Sequence, residues 1–412
     1  MKIGIGVQHE TDSFLSGKKA AESAIQNGQI DRADLILAFC SGQLDAAVFL
    51  NGLRSVVGNI PPIIGGSAIG IISNTFLSYT GSPAGIAVIE SDALHCHIAA
   101  AGDLDKDEKA AGIALGKQLP RDLKEKLLLI FYDSIKQPAT RTSPPVMNAS
   151  PPLIDGLEST LGRNLPIIGA GLLGDYGFQP TIQFCGSYPG TQSVVGAVLS
   201  GDFDHYVKIM HGFTPMDGIY HTITRMDGAV IYDVDNTPIV QMIDGRYGDQ
   251  EWRRQFPVRR LAIGVNMGDK YGDFLESDYI NRLIVSILPD NSGIVLFEPD
   301  LREGMDIQFM TRDSTNRIFE SVKNNSSQLM QQIIADGKKP MFGLYIDCAG
   351  RTASSSDTLT EEASEVINVF NQYNTPLLGF YSGVEIAPFI GKSKGLDWTG
   401  VLMVITEKGS DV

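Results

Sequence analysis

Two cysteines follow apolar runs that predict buried strands, and a thiol in such a position could act as a nucleophile. Cys40 ends one run and precedes a Ser-Gly turn. Cys348 ends another and precedes Ala-Gly-Arg. A nucleophilic thiol needs a neighbouring base or a positive field. Arg351 could supply a field, but neither segment contains a histidine, so the residues favour small buried thiols, with catalysis by Cys348 as the alternative.

A carboxylate and a guanidinium near the C-terminus could bind the two ends of an amino acid. Glu385 lies in the glycine-bearing segment Gly379–Ile386 and could bind an amino group. Arg351 could bind a carboxylate through two parallel hydrogen bonds. The alternative is that Arg351 and Glu385 pair only with each other. The sequence leaves both interpretations open.

Residues 169–174 spell GAGLLG, the glycine spacing of dinucleotide-binding loops. That motif requires a helix to follow, because the helix N-terminus meets the pyrophosphate. Residues 175–180 are DYGFQP, which cannot sustain a helix. We therefore predict a glycine-rich strand end instead of a nucleotide site.

Two further patterns resemble metal sites, and each lacks a required ligand. His95 and His97 share one face of a predicted strand, but no third ligand has supporting spacing. Asp103–Asp107 resembles the start of a calcium loop, but Glu108 replaces its glycine and Ala114 its last ligand. We expect no metal and no other cofactor.

The elements that must position these residues form one pattern that occurs three times. It contains an apolar strand, an amphipathic helix, a Pro-aliphatic-Gly strand and a closing apolar strand. The three copies begin at Leu35, Leu127 and Phe342. In the second copy, Ser150 before a proline predicts the start of the helix.

This order predicts how the strands pair. Strand–helix–strand connections are right-handed crossovers, so each copy should hold a parallel core pair with an added antiparallel strand. Residues around 205–310 instead carry hairpin signals such as Asp227-Gly228. We predict an α/β fold of repeated strand-helix-strand-strand units that form mixed sheets, with a β-rich insertion in the second half. The predicted domains are residues 1–204 and 205–412.

Ligands of such sheets bind where strands end in loops, so we place the ligand site at the glycine-bearing strand ends. The candidate ligand-binding residues are Cys40, Ser41, Gly65, Gly66, Ser67, Gly169, Gly171, Asp175, Cys348, Gly350, Arg351, Gly379, Phe380, Tyr381 and Glu385. No catalytic residue is assigned among them.

Composition restricts the partners and the compartment. The chain has 33 basic and 48 acidic residues and a net charge of −15, which disfavours nucleic acid and anionic membranes as partners. No uncharged apolar stretch is long enough to span a bilayer, and the first residues predict a strand and no signal peptide. Its 4 cysteines are widely separated, which favours the reducing cytoplasm.

Several segments together resemble the FIST N-terminal and C-terminal domains. The segments are Ala33–Ser41, Pro62–Gly70, Leu165–Gly171, Gly174-Asp175, Thr222–Pro238, Asp347–Arg351, Glu361-Glu362 and Gly379–Tyr381 with Glu385. The resemblance covers nearly the whole chain. The chain departs from the family pattern at Ser382–Glu385 and Leu396–Thr399, both near the predicted ligand face.

The resemblance implies a sensory module for small ligands, with amino acids proposed, and no assigned catalytic residue. We therefore expect a stand-alone signal-transduction protein that binds a small polar ligand. No output domain fits in the chain, so the signal would pass to a separate protein or through a homo-oligomer. The alternative function is a cysteine-dependent hydrolase or transferase that uses Cys348.

Overall fold

The computed structural model describes residues 1–120, 125–138, 140, 145–312, 315–356 and 358–408. These residues form three α/β units and one β-rich insertion. Each unit begins with a strand and a helix that lie outside the repeated pattern. The sequence predicted the opening strands at the first residues and at His95–His97, but none of these helices. The added helices of the first two units bury mainly Ala, Gly and Ser, so they carry only a weak apolar stripe.

The bounds of the elements follow the chain. The first unit contains β1 (Lys2–Gln8), α1 (Ser13–Gly28), β2 (Leu35–Cys40), α2 (Ala46–Val57), β3 (Ile63–Ser67), β4 (Ile71–Ser73), β5 (Leu77–Ser78) and β6 (Ala84–Glu90). The second contains β7 (Leu94–Ala101), α3 (Glu108–Gln118), β8 (Glu125–Asp133), β9 (Ile135–Gln137), β10 (Val146–Met147), α4 (Ser150–Leu161), β11 (Ile167–Leu172), β12 (Gln183–Cys185), β13 (Tyr188–Gly190) and β14 (Val194–Gly201).

The third unit is interrupted after its first strand, β15 (Asp204–Met210). The insertion contains β16 (Thr214–Pro215), β17 (His221–Asp227), β18 (Val230–Val234), β19 (Thr237–Pro238), α5 (Ile239–Tyr247), a 3-10 helix (Glu251–Arg254), β20 (Leu261–Asn266), a 3-10 helix (Glu276–Asp278), β21 (Tyr279–Ile287), β22 (Ile294–Leu296) and β23 (Asp306–Thr311). The unit then resumes with α6 (Thr315–Ala335), β24 (Lys338–Cys348), a 3-10 helix (Ala349–Arg351), α7 (Ala353–Ser356), α8 (Ala363–Gln372), β25 (Leu377–Ser382), β26 (Val384–Phe389), β27 (Lys392–Leu396) and β28 (Gly400–Lys408).

The predicted strand pairing is confirmed in all three units. The parallel core pairs are β2 with β3, β8 with β11, and β24 with β25. The closing strands β6, β14 and β28 lie antiparallel to β2, β8 and β24. The result is an α/β fold of repeated units that form mixed sheets, as the spacing of the motifs predicted.

The units exchange hairpins in a ring. In the described residues, each unit has a sheet of six strands, and the last two come from another unit. The β12–β13 hairpin of the second unit completes the first sheet, and the β26–β27 hairpin of the third completes the second sheet. The β4–β5 hairpin of the first unit completes the third sheet. Each unit therefore both gives and receives a hairpin.

The main core lies where the three sheets meet. Phe39 of the first unit stacks on Phe380 of the third, with ring centroids 4.0 Å apart. Phe131 of the second unit packs edge-on against both rings, at 5.1 and 5.8 Å. All three side chains are fully buried. One aromatic ring from each unit thus fills the centre of the ring of sheets.

The glycine of each Pro-aliphatic-Gly strand allows its parallel neighbour to approach closely. These glycines are Gly65, Gly169 and Gly379. A Cβ added to Gly169 would collide with the backbone carbonyl oxygen of Ile130 on β8. A Cβ added to Gly65 or to Gly379 would likewise collide with the carbonyl oxygen of the residue opposite it, on β2 or on β24. The repeated glycine therefore has a packing reason.

Replacing Gly169 by alanine is expected to lower the free energy of unfolding by roughly 2–3 kcal/mol, because the methyl group overpacks the core sheet. Gly102→Ala is the matched control, since an added Cβ there has no atom within 4 Å. Urea unfolding of both variants measures the difference. Equal stability of the two variants would contradict the packing role.

Outer helices cover the units and begin at aspartate caps. Asp12, Asp45 and Asp107 precede α1, α2 and α3, and each side chain accepts a hydrogen bond from a backbone N–H of the first turn. The expected cap at Ser150 is wrong, because α4 begins at Ser150 itself and its hydroxyl donates to Glu298 instead. Within the described ranges, no helix has the length and apolar character needed to cross a membrane.

The β-rich insertion is confirmed between β15 and α6. Strands β17, β18, β22, β21, β20 and β23 pair antiparallel in that order, and β23 also pairs with β17, which closes a barrel. The predicted turn at Asp227-Gly228 connects β17 to β18. The barrel contacts the β26–β27 hairpin, where Asp397 accepts from the backbone N–H of Leu283 at 2.9 Å.

Candidate functional site

An open cleft of about 280 Å³ lies at the carboxyl ends of β2 and β3, and we call it the strand-end cleft. Its polar lining includes Asp45, Ser67, Asp175, Gln179 and Thr181. The first unit supplies the strand ends and the start of α2. The second unit supplies the opposite wall, in the loop that leads to its exchanged hairpin. The hairpin exchange therefore creates this cleft between two units.

A short connection keeps this strand end open. In the first unit only residues 41–45 join β2 to α2. The corresponding connections span residues 134–149 in the second unit and 349–362 in the third. In the second connection, Asn148 donates to the carbonyl of Asp133 at the end of β8, at 2.8 Å. The three units therefore share a scaffold, and the first has the shortest connection between its strand and its helix.

Backbone contacts fix the two walls. The N–H of Gly42 donates to the carbonyl of Gly174 at 2.9 Å, and a Cβ on Gly42 would lie 2.8 Å from the carbonyl carbon of Gly174. The N–H of Ser67 donates to the carbonyl of Ile182 at 2.8 Å. The Ser67 hydroxyl accepts from the N–H of Ile182 at 3.2 Å. The wall from the second unit is therefore held at both of its ends.

Two carboxylates give the strand-end cleft a negative charge. Asp175 accepts from the N–H of Gly177 at 2.7 Å and from the side-chain amide of Gln43 at 3.1 Å. Asp45 caps α2, so the positive end of that helix dipole also faces the cleft. The described lining contains no Lys, Arg or His. Such a surface can bind an ammonium group through the carboxylates and an anionic group at the helix start.

Among the residues predicted from sequence, Ser67 and Asp175 line the strand-end cleft. Ser41 lies beside it, and its hydroxyl donates to the carbonyl of Gly81 at 3.1 Å. Cys40 is fully buried beneath the cleft. Asp45 was missed, although an aspartate just before the predicted α2 pattern is a visible cap signal.

Other predicted residues have packing contacts away from the cleft. Phe380 lies in the central aromatic core, and Gly65, Gly169 and Gly379 pack against neighbouring strands. Gly66 allows close approach to the backbone of Ile182, and Gly171 to Ser134. A Cβ on Gly350 would collide with the ring of Trp398. At each of these glycines a neighbouring backbone or side chain approaches closely. The structure does not bring all of them together around one ligand.

Arg351 forms a buried ion cluster in the third unit. Its Nε and Nη2 donate to the two carboxylate oxygens of Glu362 at 2.6 and 2.5 Å. Its Nη1 donates to the carbonyls of Met210 and Trp398 at 2.8 and 3.0 Å. Asp347 lies 3.0 Å from Nε. Pairing of Arg351 with Glu385 is therefore wrong, because Glu362 and Asp347 hold the guanidinium.

Glu385 is buried and makes neutral contacts. The hydroxyl of Ser382 donates to its Oε1 at 2.8 Å, and the N–H of Thr399 lies 3.4 Å from its Oε2. Burial raises the pKa of Glu385 well above its ordinary value. Arg351 and Glu385 are both fully buried, so this conformation does not present them as an open clamp for an amino acid.

The contacts of Cys348 do not resemble those of a reactive thiol. Burial, followed by the charge of Glu385, raises the pKa of Cys348, and burial also raises the pKa of Cys40. A catalytic thiolate requires the opposite shift. Tyr381 is buried as well, and its hydroxyl donates to Glu361 at 3.0 Å. The geometry thus gives no support to the cysteine-enzyme alternative.

No group of three or more His, Cys, Asp and Glu side chains suited to a metal ion occurs among the residues that the structure describes. His95 and His97 are exposed on β7, at the edge of the second sheet. This matches their predicted placement on one face of an edge strand.

The chain is a mixed α/β protein with an open cleft at the carboxyl ends of two parallel strands. Residues 34–237 match the FIST N domain, and residues 241–388 match the FIST C domain. The chain therefore belongs to the FIST family. FIST domains are small-ligand sensory domains in signal transduction, and the family is not an enzyme family.

Similarity to other known proteins is weak. No curated protein matches the chain in sequence. Cyanuric acid hydrolase from A. caulinodans is 13% identical with a TM-score of 0.26, covering 48% of this chain and 70% of that chain. PurLQS from Thermotoga maritima is 8% identical with a TM-score of 0.22, covering 98% and 72%. These values are too low to carry an argument about fold or function.

Proposed function

We propose that this protein is a stand-alone sensory protein that binds a small polar ligand in the strand-end cleft. The observation that carries the proposal is the open cleft at the carboxyl ends of β2 and β3, in a chain whose two domains belong to a sensory family. Ligands of α/β sheets bind at this end of the strands. The volume of about 280 Å³ suits a small metabolite and is below the usual range for drug-sized ligands.

An amino acid is the ligand class that the lining supports best. Its ammonium group matches the carboxylates of Asp45 and Asp175. Its carboxylate matches the positive end of α2, which begins at Ala46 on the cleft wall. In this proposal the ligand binds between the first and second units, instead of between Arg351 and Glu385.

The same loop connects the cleft to the third unit. Tyr176 follows Asp175, and its hydroxyl donates to the carbonyl of Ala349 at 2.9 Å. The hydroxyl also lies 2.8 Å from that of Thr352. A ligand that orders Asp175 would therefore also favour one position of Tyr176 against the third unit. We propose that this contact passes the signal to a separate signalling protein or to a second copy of the chain.

Two further assignments accompany this proposal. The four cysteines are free thiols, which supports action in the reducing cytoplasm. The domain boundary at 204/205 lies at the start of β15, where the third unit begins. We therefore retain residues 1–204 and 205–412 as the proposed domains.

Thermal-shift measurements on the purified chain with L-amino acids, amines and small carboxylates test the proposal. A ligand at about 100 times its Kd adds about 2.7 kcal/mol to stability. Asp175→Asn is expected to weaken the bound amino acid about tenfold or more, since it removes a charge-assisted contact.

Asp92→Asn is the control, because Asp92 is exposed on the turn between β6 and β7 and does not line the cleft. This variant should bind like the natural chain. Failure of every amino acid and small polar compound to shift the transition would refute ligand binding. Equal affinity in Asp175→Asn and the natural chain would refute the strand-end cleft as its place.

A further inference from the structure

A second polar feature, separate from the strand-end cleft, lies where the insertion joins the third unit. Arg312 follows β23, and its exposed fraction is only 6%. Its guanidinium lies between two aromatic rings, 5.2 Å from the centroid of Phe213 and 5.3 Å from that of Trp398. Its Nη2 donates to the carbonyl of Arg259 at 3.2 Å. A full positive charge is thus enclosed by aromatic faces and one carbonyl.

Arg312 has no carboxylate partner among the described residues. Glu362 accepts two hydrogen bonds from Arg351. Asp397 accepts from the N–H of Leu283. Besides burial, the positive charge of Arg351 lowers the pKa of Arg312, and the charge of Glu362 raises it. Burial lowers the pKa of Arg312 to about 10, so the guanidinium still carries its charge at neutral pH.

Two buried donors at this place lack acceptors. Nη1 of Arg312 and the indole Nε1 of Trp398 are buried and make no hydrogen bond within the part of the chain that the structure describes. The two side chains are in cation–π contact, so these donors lie in neighbouring groups. A buried donor without an acceptor costs about 1–3 kcal/mol, and more when it is charged. An anionic group placed here could accept hydrogen bonds from both the guanidinium of Arg312 and the indole N–H of Trp398.

We propose that the carboxylate group of a small ligand binds between Arg312 and Trp398. One carboxylate oxygen would accept from Nη1 of Arg312 and the other from Nε1 of Trp398. A carboxylate fits better than a phosphate dianion, because its two oxygens match the two donors Nη1 and Nε1, and the walls are aromatic. This site is independent of the strand-end cleft, which lies between the first and second units and is lined by aspartates.

Trp398 itself reports on the proposed site. The chain contains 2 tryptophans, and the other, Trp252, lies in the core of the insertion and donates to Asp244 at 3.0 Å. In a Trp252→Phe background the intrinsic fluorescence therefore comes from Trp398 alone. The probe is sodium acetate, titrated against sodium chloride at constant ionic strength, with inorganic phosphate in a parallel titration.

Sodium acetate is expected to change the emission of Trp398 in a saturable way at millimolar concentration. Sodium chloride at the same ionic strength is expected to leave the emission unchanged. Arg312→Met in the same background should abolish the change. Arg312→Lys should weaken acetate binding at least tenfold, because the ammonium cannot reproduce the position of Nη1. Circular dichroism establishes that each variant is folded, and Arg312→Lys serves as the test should the methionine variant not fold.

The remaining outcomes would overturn the proposal. They are no saturable response to acetate, an unchanged response in the Arg312 variants, or a response to phosphate without one to acetate. Asp175→Asn separates this site from the strand-end cleft, because it should leave the acetate response of Trp398 unchanged. Loss of that response in Asp175→Asn would show that acetate acts through the cleft instead.

Discussion

Arg351→Met is expected to lower the free energy of unfolding by about 3–5 kcal/mol, because it leaves buried carboxyl groups without their counter-charge. Arg351, Asp347 and Glu362 are each at most 2% exposed. The guanidinium also donates to the carbonyls of Met210 and Trp398, so its loss leaves those acceptors unpaired. Urea unfolding at neutral pH, followed by circular dichroism, measures the change.

Arg225→Met is the matched control, since that guanidinium is 60% exposed and pairs with Asp233 on the surface. Its loss should change stability by less than about 1 kcal/mol. The double variant Arg351→Met with Glu362→Leu should recover part of the lost stability, because it removes one of the unpaired carboxyl groups. A similar small effect of Arg351→Met and Arg225→Met would show that the buried cluster is not a source of stability.

Raising the pH from about 5 to 8 is expected to destabilise the protein through Glu298. This carboxyl group is 1% exposed at the contact between the insertion and α4, where the hydroxyl of Ser150 donates to it at 2.5 Å. Burial, and then the charge of Asp397, raises the pKa of Glu298 from 4.5 to about 8. In this window the folded state keeps a proton that the unfolded state has lost, so folding weakens as the pH rises.

The expected size of this loss is at most roughly 5 kcal/mol, from 1.36 kcal/mol for each pH unit between the two pKa values. Glu298→Gln should remove most of the slope and be more stable than the natural chain above pH 8. A smaller slope should remain at lower pH, because burial raises the pKa of Asp397 to about 6. Urea unfolding at a series of pH values provides the comparison.

Glu320→Gln is the control for this prediction, since Glu320 is exposed on α6. This variant should keep the full pH dependence. If Glu298→Gln has the same slope as Glu320→Gln, the buried carboxyl at the insertion contact does not control stability.

Much of the fold could be predicted from local patterns. The repeated Pro-aliphatic-Gly segments located β3, β11 and β25, and the crossover rule gave their parallel partners. The hairpin exchange could not be predicted, because the short strands β4 and β12 carry no signal for the sheet that they join. Pairings between distant segments depend on the whole fold and not on neighbouring residues.

The candidate site was predictable only in part, and for a related reason. Ser67 and Asp175 lie at strand ends, where the general rule for α/β sheets places ligands. The sequence did not show which buried charged side chains pair with each other. The sequence left open whether Arg351 binds a ligand or pairs with Glu385, whereas in the structure Glu362 accepts its hydrogen bonds. Arg312 was not singled out, since its aromatic neighbours come from β15's loop and the end of β27.

The ring of exchanged hairpins makes the two family domains inseparable in a mechanical sense. The first unit contributes β4 and β5 to the sheet of the third, and the third contributes β26 and β27 to the sheet of the second. Cutting the chain at the domain boundary would remove strands from sheets on both sides of the cut. The two domains are separate in the sequence, but their sheets share strands, so the described part of the chain forms one interlocked structure.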